Sequence, residues 1–85
     1  MLAEVELRDH IVGKHLPGES AEALDMDDDL IGSGILDSLA IVQLVAHLEE
    51  RCGIEVGADE ITPENFGSVR RLAAYLAEKR AAIAN

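Results

Sequence analysis

Residues 39–51, LAIVQLVAHLEER, constrain the fold more than any other stretch of the chain. On a wheel at about 100° per residue, Ile41, Leu44, Val45 and Leu48 fall within about 100° of arc, an ordinary core-facing helical stripe. Leu39, Val42 and Ala46 widen the apolar arc to roughly 220°, leaving Gln43, His47, Glu50 and Arg51 polar. A helix on the outside of a small bundle cannot bury so wide an arc. Either a loop folds over Leu39, Val42 and Ala46, or they form a face on which a partner docks. The second reading is preferred, with Glu49 and Glu50 as an acidic rim.

The chain around this helix is short. Its 85 residues make one domain, 1–85, with a thin core and no deep pocket. One Phe, one Tyr and no Trp stand among 48% apolar residues, so a core of Leu, Ile, Val and Ala is expected, which favours packed helices. A first helix is expected over residues 3–16, with Val5, Leu7, Ile11, Val12 and Leu16 apolar, and Pro17-Gly18 ends it. Residues 17–37 then form a long connection rich in Gly and Asp. Leu24, Leu30, Ile31, Ile35 and Leu36 within it require burial, and so long a connection in so small a domain usually serves a function.

The second helix is expected from Ser38 to Arg51, closed by Gly53. The alternating Gly53–Val56 has no partner strand and reads as packed loop. Thr62 as cap, Pro63 in the first turn and Glu64 behind it predict a short helix within residues 61–67. Ser68 caps a last helix running to about Ile83, with Val69, Leu72, Ala73, Leu76 and Ile83 as its stripe and Lys79 and Arg80 complementing its dipole. The expected fold is all-α: a small four-helix bundle of three longer helices and a short one, with a long first loop.

Net charge is −10, and residues 17–37 hold seven acids and no Lys or Arg. Such a surface repels nucleic acid and anionic membranes and suits basic protein partners. Arg70-Arg71 is too little for a nucleic-acid patch. Cys52 is the only cysteine, which excludes an internal disulfide, and it reads as inert. No signal peptide or membrane-spanning run is recognisable, so the cytoplasm is the expected location. The three histidines lack metal-ligand spacing and read as surface residues. Asp25, Asp27 and Asp29 match the first positions of a calcium loop, but Leu30 and Leu36 stand where Gly and Glu are required. No metal site is expected.

Ser38 is the candidate functional residue. It fits a helix cap. It does not fit a hydrolase nucleophile: no base is placed beside it, and the "GSG" at 32–34 has no preceding strand. A third reading rests on resemblance. "GILDSLAIVQLVAHLEERCGIEV" resembles the modification site and second helix of the acyl carrier proteins, and "ENFGSVRRLAAYL" resembles their third-to-fourth helix junction. The resemblance covers nearly the whole chain and implies the same helix order. It implies that Ser38 carries 4′-phosphopantetheine, derived from coenzyme A, through a phosphodiester. It also implies that Asp37 contributes to recognition by the phosphopantetheinyl transferase, and that the protein catalyses nothing itself. A phosphodiester at a helix start would face free N–H groups and the positive dipole end.

Fatty-acid carriers usually present acids on the second helix where this chain has Ala40 and Gln43. Carriers of peptide assembly lines often show two glycines where it has Ile35-Leu36. "SGILDSL" is more similar to free-standing carriers of amino acids or short polar acyl units. The implied partners are the transferase, an acyl- or aminoacyl-loading ligase and a downstream transferase or synthase, with the carrier a monomer. A fatty-acid or polyketide carrier, or an unmodified helical adaptor, are the alternatives.

Overall fold

A computed structural model describes residues 4–84, with side chains from residue 4 to 82. It contains α1 (Glu4–His15), α2 (Ser38–Cys52), α3 (Pro63–Phe66) and α4 (Val69–Ala84), with single 3-10 turns at Ala21–Ala23 and Ala58–Glu60. No strand occurs among the described residues, and Gly53–Val56 is loop. The expected all-α bundle of three longer helices and a short one is the observed fold. Residue 3, assigned to the first helix from sequence, lies outside the described residues.

The ends of the elements follow local chemistry. Gly53 closes α2 in the left-handed region at φ 66°, its N–H bonded to the Glu49 carbonyl, a conformation glycine adopts without steric cost. Thr62 Oγ1 accepts from Asn65 N and so caps α3, with Pro63 in its first turn. Ser68 Oγ does the same for α4 through Arg71 N at 3.1 Å. Gly67 between them is required by space: a Cβ there would run into the Pro63 carbonyl.

One core joins all four helices and the long loop. Leu24, Leu30 and Leu36 from the loop are buried with Leu7 and Ile11 of α1, Leu44 and Leu48 of α2, Phe66 of α3 and Leu72 and Leu76 of α4. Ile31 and Ile35 pack half-buried against them. The backbone fixes the loop where it crosses: Leu30 N–H donates to the Gly67 carbonyl at 2.8 Å, and Arg70 N–H to the Met26 carbonyl at 3.0 Å.

Of the apolar residues of α1, Val5 is exposed, because at about 100° per residue it points away from Leu7 and Ile11, which face the core. Three expectations need correction. On α2 the buried row is Ala40, Leu44, Leu48 and Cys52, with Ile41 and Val45 half-buried, so the core stripe is rotated from the one expected. Both aromatics enter the core, Phe66 and Tyr75 meeting with ring centroids 5.5 Å apart. Lys79 and Arg80 serve other elements: Lys79 Nζ pairs with Glu60 at 2.9 and 3.0 Å, and Arg80 Nη1 donates to the Cys52 carbonyl at the end of α2. α4 continues past both, so neither reaches its own terminal carbonyls. The Ile83 side chain, expected in the stripe, lies outside those described.

Candidate functional site

The head of α2 is built by the residue before the serine. Asp37 is extended at φ −82°, and its Oδ1 accepts from Ala40 N at 2.8 Å, so Asp37 is the N-cap. Ser38 is thereby the first helical residue and not the cap. The correction has a chemical consequence. With the aspartate satisfying the helix amide, the exposed Ser38 hydroxyl makes no hydrogen bond among the described residues. It stands free at the positive end of a 15-residue helix.

Beyond it, Leu39 is 67% and Val42 65% exposed, with Gln43 and Ala46 exposed beside them. The loop does not fold over them, so the wide apolar arc presents a face to solvent. Ala40 lies inside the core, so its lack of charge says nothing about that face. Glu49 is not a free rim acid either. It is half-buried, and its Oε2 accepts from Val56 N at 2.9 Å, tying the loop after α2 to the helix. Glu50 remains exposed.

The histidines, read from sequence as scattered surface residues, come together on the α1–α2 side. His10 and His47 stack with ring centroids 3.7 Å apart and planes within 8°. Burial, and then the neighbouring His47, His15 and Lys14, hold His10 below its ordinary pKa of 6.5. His15 is lowered by burial and Lys14, with Asp37 opposing, and its Nε2 is buried without a partner. The clustering has no signature in sequence spacing, since it requires two helices to align. Among the described residues no group of His, Cys, Asp and Glu is arranged to hold a metal, and no histidine hydrogen-bonds Ser38. Cys52 is a buried free thiol.

The clefts are shallow, about 320–410 Å³ each. One of about 400 Å³ flanks the head of α2, between Lys14, His15 and Leu16 at the end of α1, the Ser33–Ile35 turn, and Asp37, Leu39, Ala40 and Gln43.

A thin helical bundle with a free hydroxyl at a helix head and an apolar face beside it is suited to presenting an attached group to other proteins. Residues 14–76 match the family model "Phosphopantetheine attachment site", and the chain belongs to that family. It is 34% identical over 80 residues to the probable acyl carrier protein PigG of Serratia sp., covering 94% of this chain and 91% of that protein. It is 36% identical over 59 residues to the D-alanyl carrier protein of Abiotrophia defectiva, covering 69% and 75%. The solution structure of a holo acyl carrier protein from Nitrosomonas europaea superposes with a TM-score of 0.72 at 31% identity, over 95% of this chain and 99% of that one. A chain in a solved structure described as an FAD-dependent dehydrogenase gives 0.75 at 38% identity, over 82% and 97%.

The protein is accordingly an acyl or aminoacyl carrier that bears 4′-phosphopantetheine and has no catalysis of its own. When bound, that group supplies a terminal thiol on which cargo is held as a thioester. No helix among the described residues is long and apolar enough to cross a membrane.

Proposed function

We propose that Ser38 is the attachment residue and that the protein works as a free-standing cytoplasmic carrier of an amino acid or short polar acyl unit. The observation that carries this is the division of labour at the head of α2. Asp37 caps the helix, and the Ser38 hydroxyl is exposed, unengaged among the described residues and adjacent to the positive end of the helix. Asp37 also presents a carboxylate beside the serine, where a transferase holding magnesium and coenzyme A would meet it. Similarity to the D-alanyl carrier proteins supports an amino acid as cargo. Similarity to a chain in a solved structure described as an FAD-dependent dehydrogenase supports presentation of the loaded unit, still on the arm, to an enzyme that acts on it.

The loading ligase and the downstream transferase or synthase dock on the neutral face of Leu39, Val42, Gln43 and Ala46, with Glu50 at its edge. A central apolar face mainly sets dissociation, while a rim charge mainly sets encounter rate and salt dependence.

Apo protein incubated with coenzyme A, magnesium and a broad-specificity phosphopantetheinyl transferase gains the mass of one phosphopantetheinyl group. The Ser38→Ala variant gains none and keeps its helical circular dichroism. Modification of that variant would assign the arm to another residue.

A further inference from the structure

Asp37 and Leu39, the two neighbours of Ser38, line a cleft that also carries a lysine, a histidine and apolar wall. Lys14 borders it, and among the described residues Lys14 makes no ion pair, in a chain of net charge −10. His15 borders it too, with a buried Nε2 that has no hydrogen-bond partner, an unfavourable state unless a ligand or a ring turn relieves it. Exposed Leu39 and half-buried Ile35 and Leu16 supply apolar wall, and Gln43 offers a solvent-exposed amide that no described residue engages. Asp59 and Glu60 sit on the turn leading to Thr62, and Glu60 is already held by Lys79, Tyr75 and Gly57 N–H.

We propose that this cleft between the end of α1 and the head of α2 receives the phosphate-proximal half of the arm. Its ligand is the phosphodiester together with the branched, hydroxylated pantoyl unit and the first amide. The inference rests on Ser38 as attachment residue. Lys14 offsets the Asp37 carboxylate on the cleft wall, so the phosphodiester meets a lining with one acid and one lysine rather than an acidic one. Leu39, Ile35 and Leu16 take the geminal methyls. Gln43 and a turned His15 ring pair with the hydroxyl and amide. The cargo end of the arm stays outside the cleft, free to reach partner enzymes.

The test uses isotope-labelled holo protein, with modification of Ser38 first confirmed by mass spectrometry and peptide mapping. Comparison of apo and holo spectra should show shift changes at Lys14, His15, Ile35 and Gln43 beyond those at Ser38 and its neighbours. Nuclear Overhauser contacts should join the geminal methyls of the arm to Leu39 and Ile35. In holo Lys14→Glu these contacts should weaken by about threefold, the scale of one surface charge interaction, with modification of Ser38 unimpaired. Shift changes confined to residues 37–39, or arm contacts with Ile61 and Thr62, would overturn the cleft assignment while leaving Ser38 in place. Absence of any added mass on Ser38 would remove both readings.

Discussion

At the scale of single residues, Asp37 carries two separable functions. Its Oδ1 accepts from Ala40 N at 2.8 Å, and asparagine retains an oxygen that can make the same bond. Asp37→Ala should therefore lower stability by about 0.5–2 kcal/mol, the usual cost of losing a cap, and Asp37→Asn by much less. The carboxylate charge is lost in both. If the transferase uses that charge, Asp37→Asn should be modified more slowly than wild type while melting at nearly the same temperature. Equal modification rates for Asn and Asp would leave Asp37 with the cap alone. The sequence made Ser38 visible as a helix start but assigned the cap one residue late. Aspartate and serine are both good caps, and only the extended backbone at Asp37 decides between them.

At the scale of elements, α2 divides into a structural row and a presenting face. Leu44 and Leu48 are fully buried, and truncating either to alanine should cost about 2–5 kcal/mol. Val42→Asp, at a position 65% exposed, should shift the melting temperature far less while impairing loading of the holo protein by its ligase. Glu49→Lys belongs with the structural set, since it removes the acceptor of Val56 N and should loosen the loop after α2. A loading defect in that variant that disappears in high salt without any loss of melting temperature would return Glu49 to the docking rim. The wide arc was legible from periodicity because a period of 3.6 needs only local spacing. The rotation of the buried row toward Ala40 and Cys52 was not. It depends on where Leu30, Leu36 and Ile54 fill space against α2, and those residues arrive from loops that have no period.

At the scale of the whole molecule, helix order, the buried leucines of the first loop and the short third helix were readable, because each rests on caps, glycines and prolines that act locally. The contacts between elements were not: Arg80 on the end of α2, Lys79 and Tyr75 on Glu60, and the His10–His47 stack each join residues far apart in sequence. The histidines on the α1–α2 side make a prediction about acid. His10 and His15 are held below 6.5 in the fold, chiefly by burial, so between that value and their lowered folded values the unfolded chain binds more protons. Their contribution to stability is complete above about pH 7 and is lost as pH falls through the folded values. Asp27, lowered by its hydrogen bond from Arg70, and Glu60, lowered by Lys79, lose theirs only further down, below the ordinary carboxylate range. Acid also has an opposing effect, since approaching the isoelectric point of about 4.5 relieves the repulsion of a chain at −10. The wild-type curve between pH 7.5 and 5.5 thus mixes both, and the His10→Gln/His15→Gln double variant separates them. It keeps the acidic surface and removes the two depressed imidazoles. Melting temperature measured by circular dichroism over that interval should rise more steeply on acidification, or fall less, in the double variant than in wild type. Parallel curves for the two proteins would mean that His10 and His15 titrate alike in the folded and unfolded chains, and that the α1–α2 seam is indifferent to their charge.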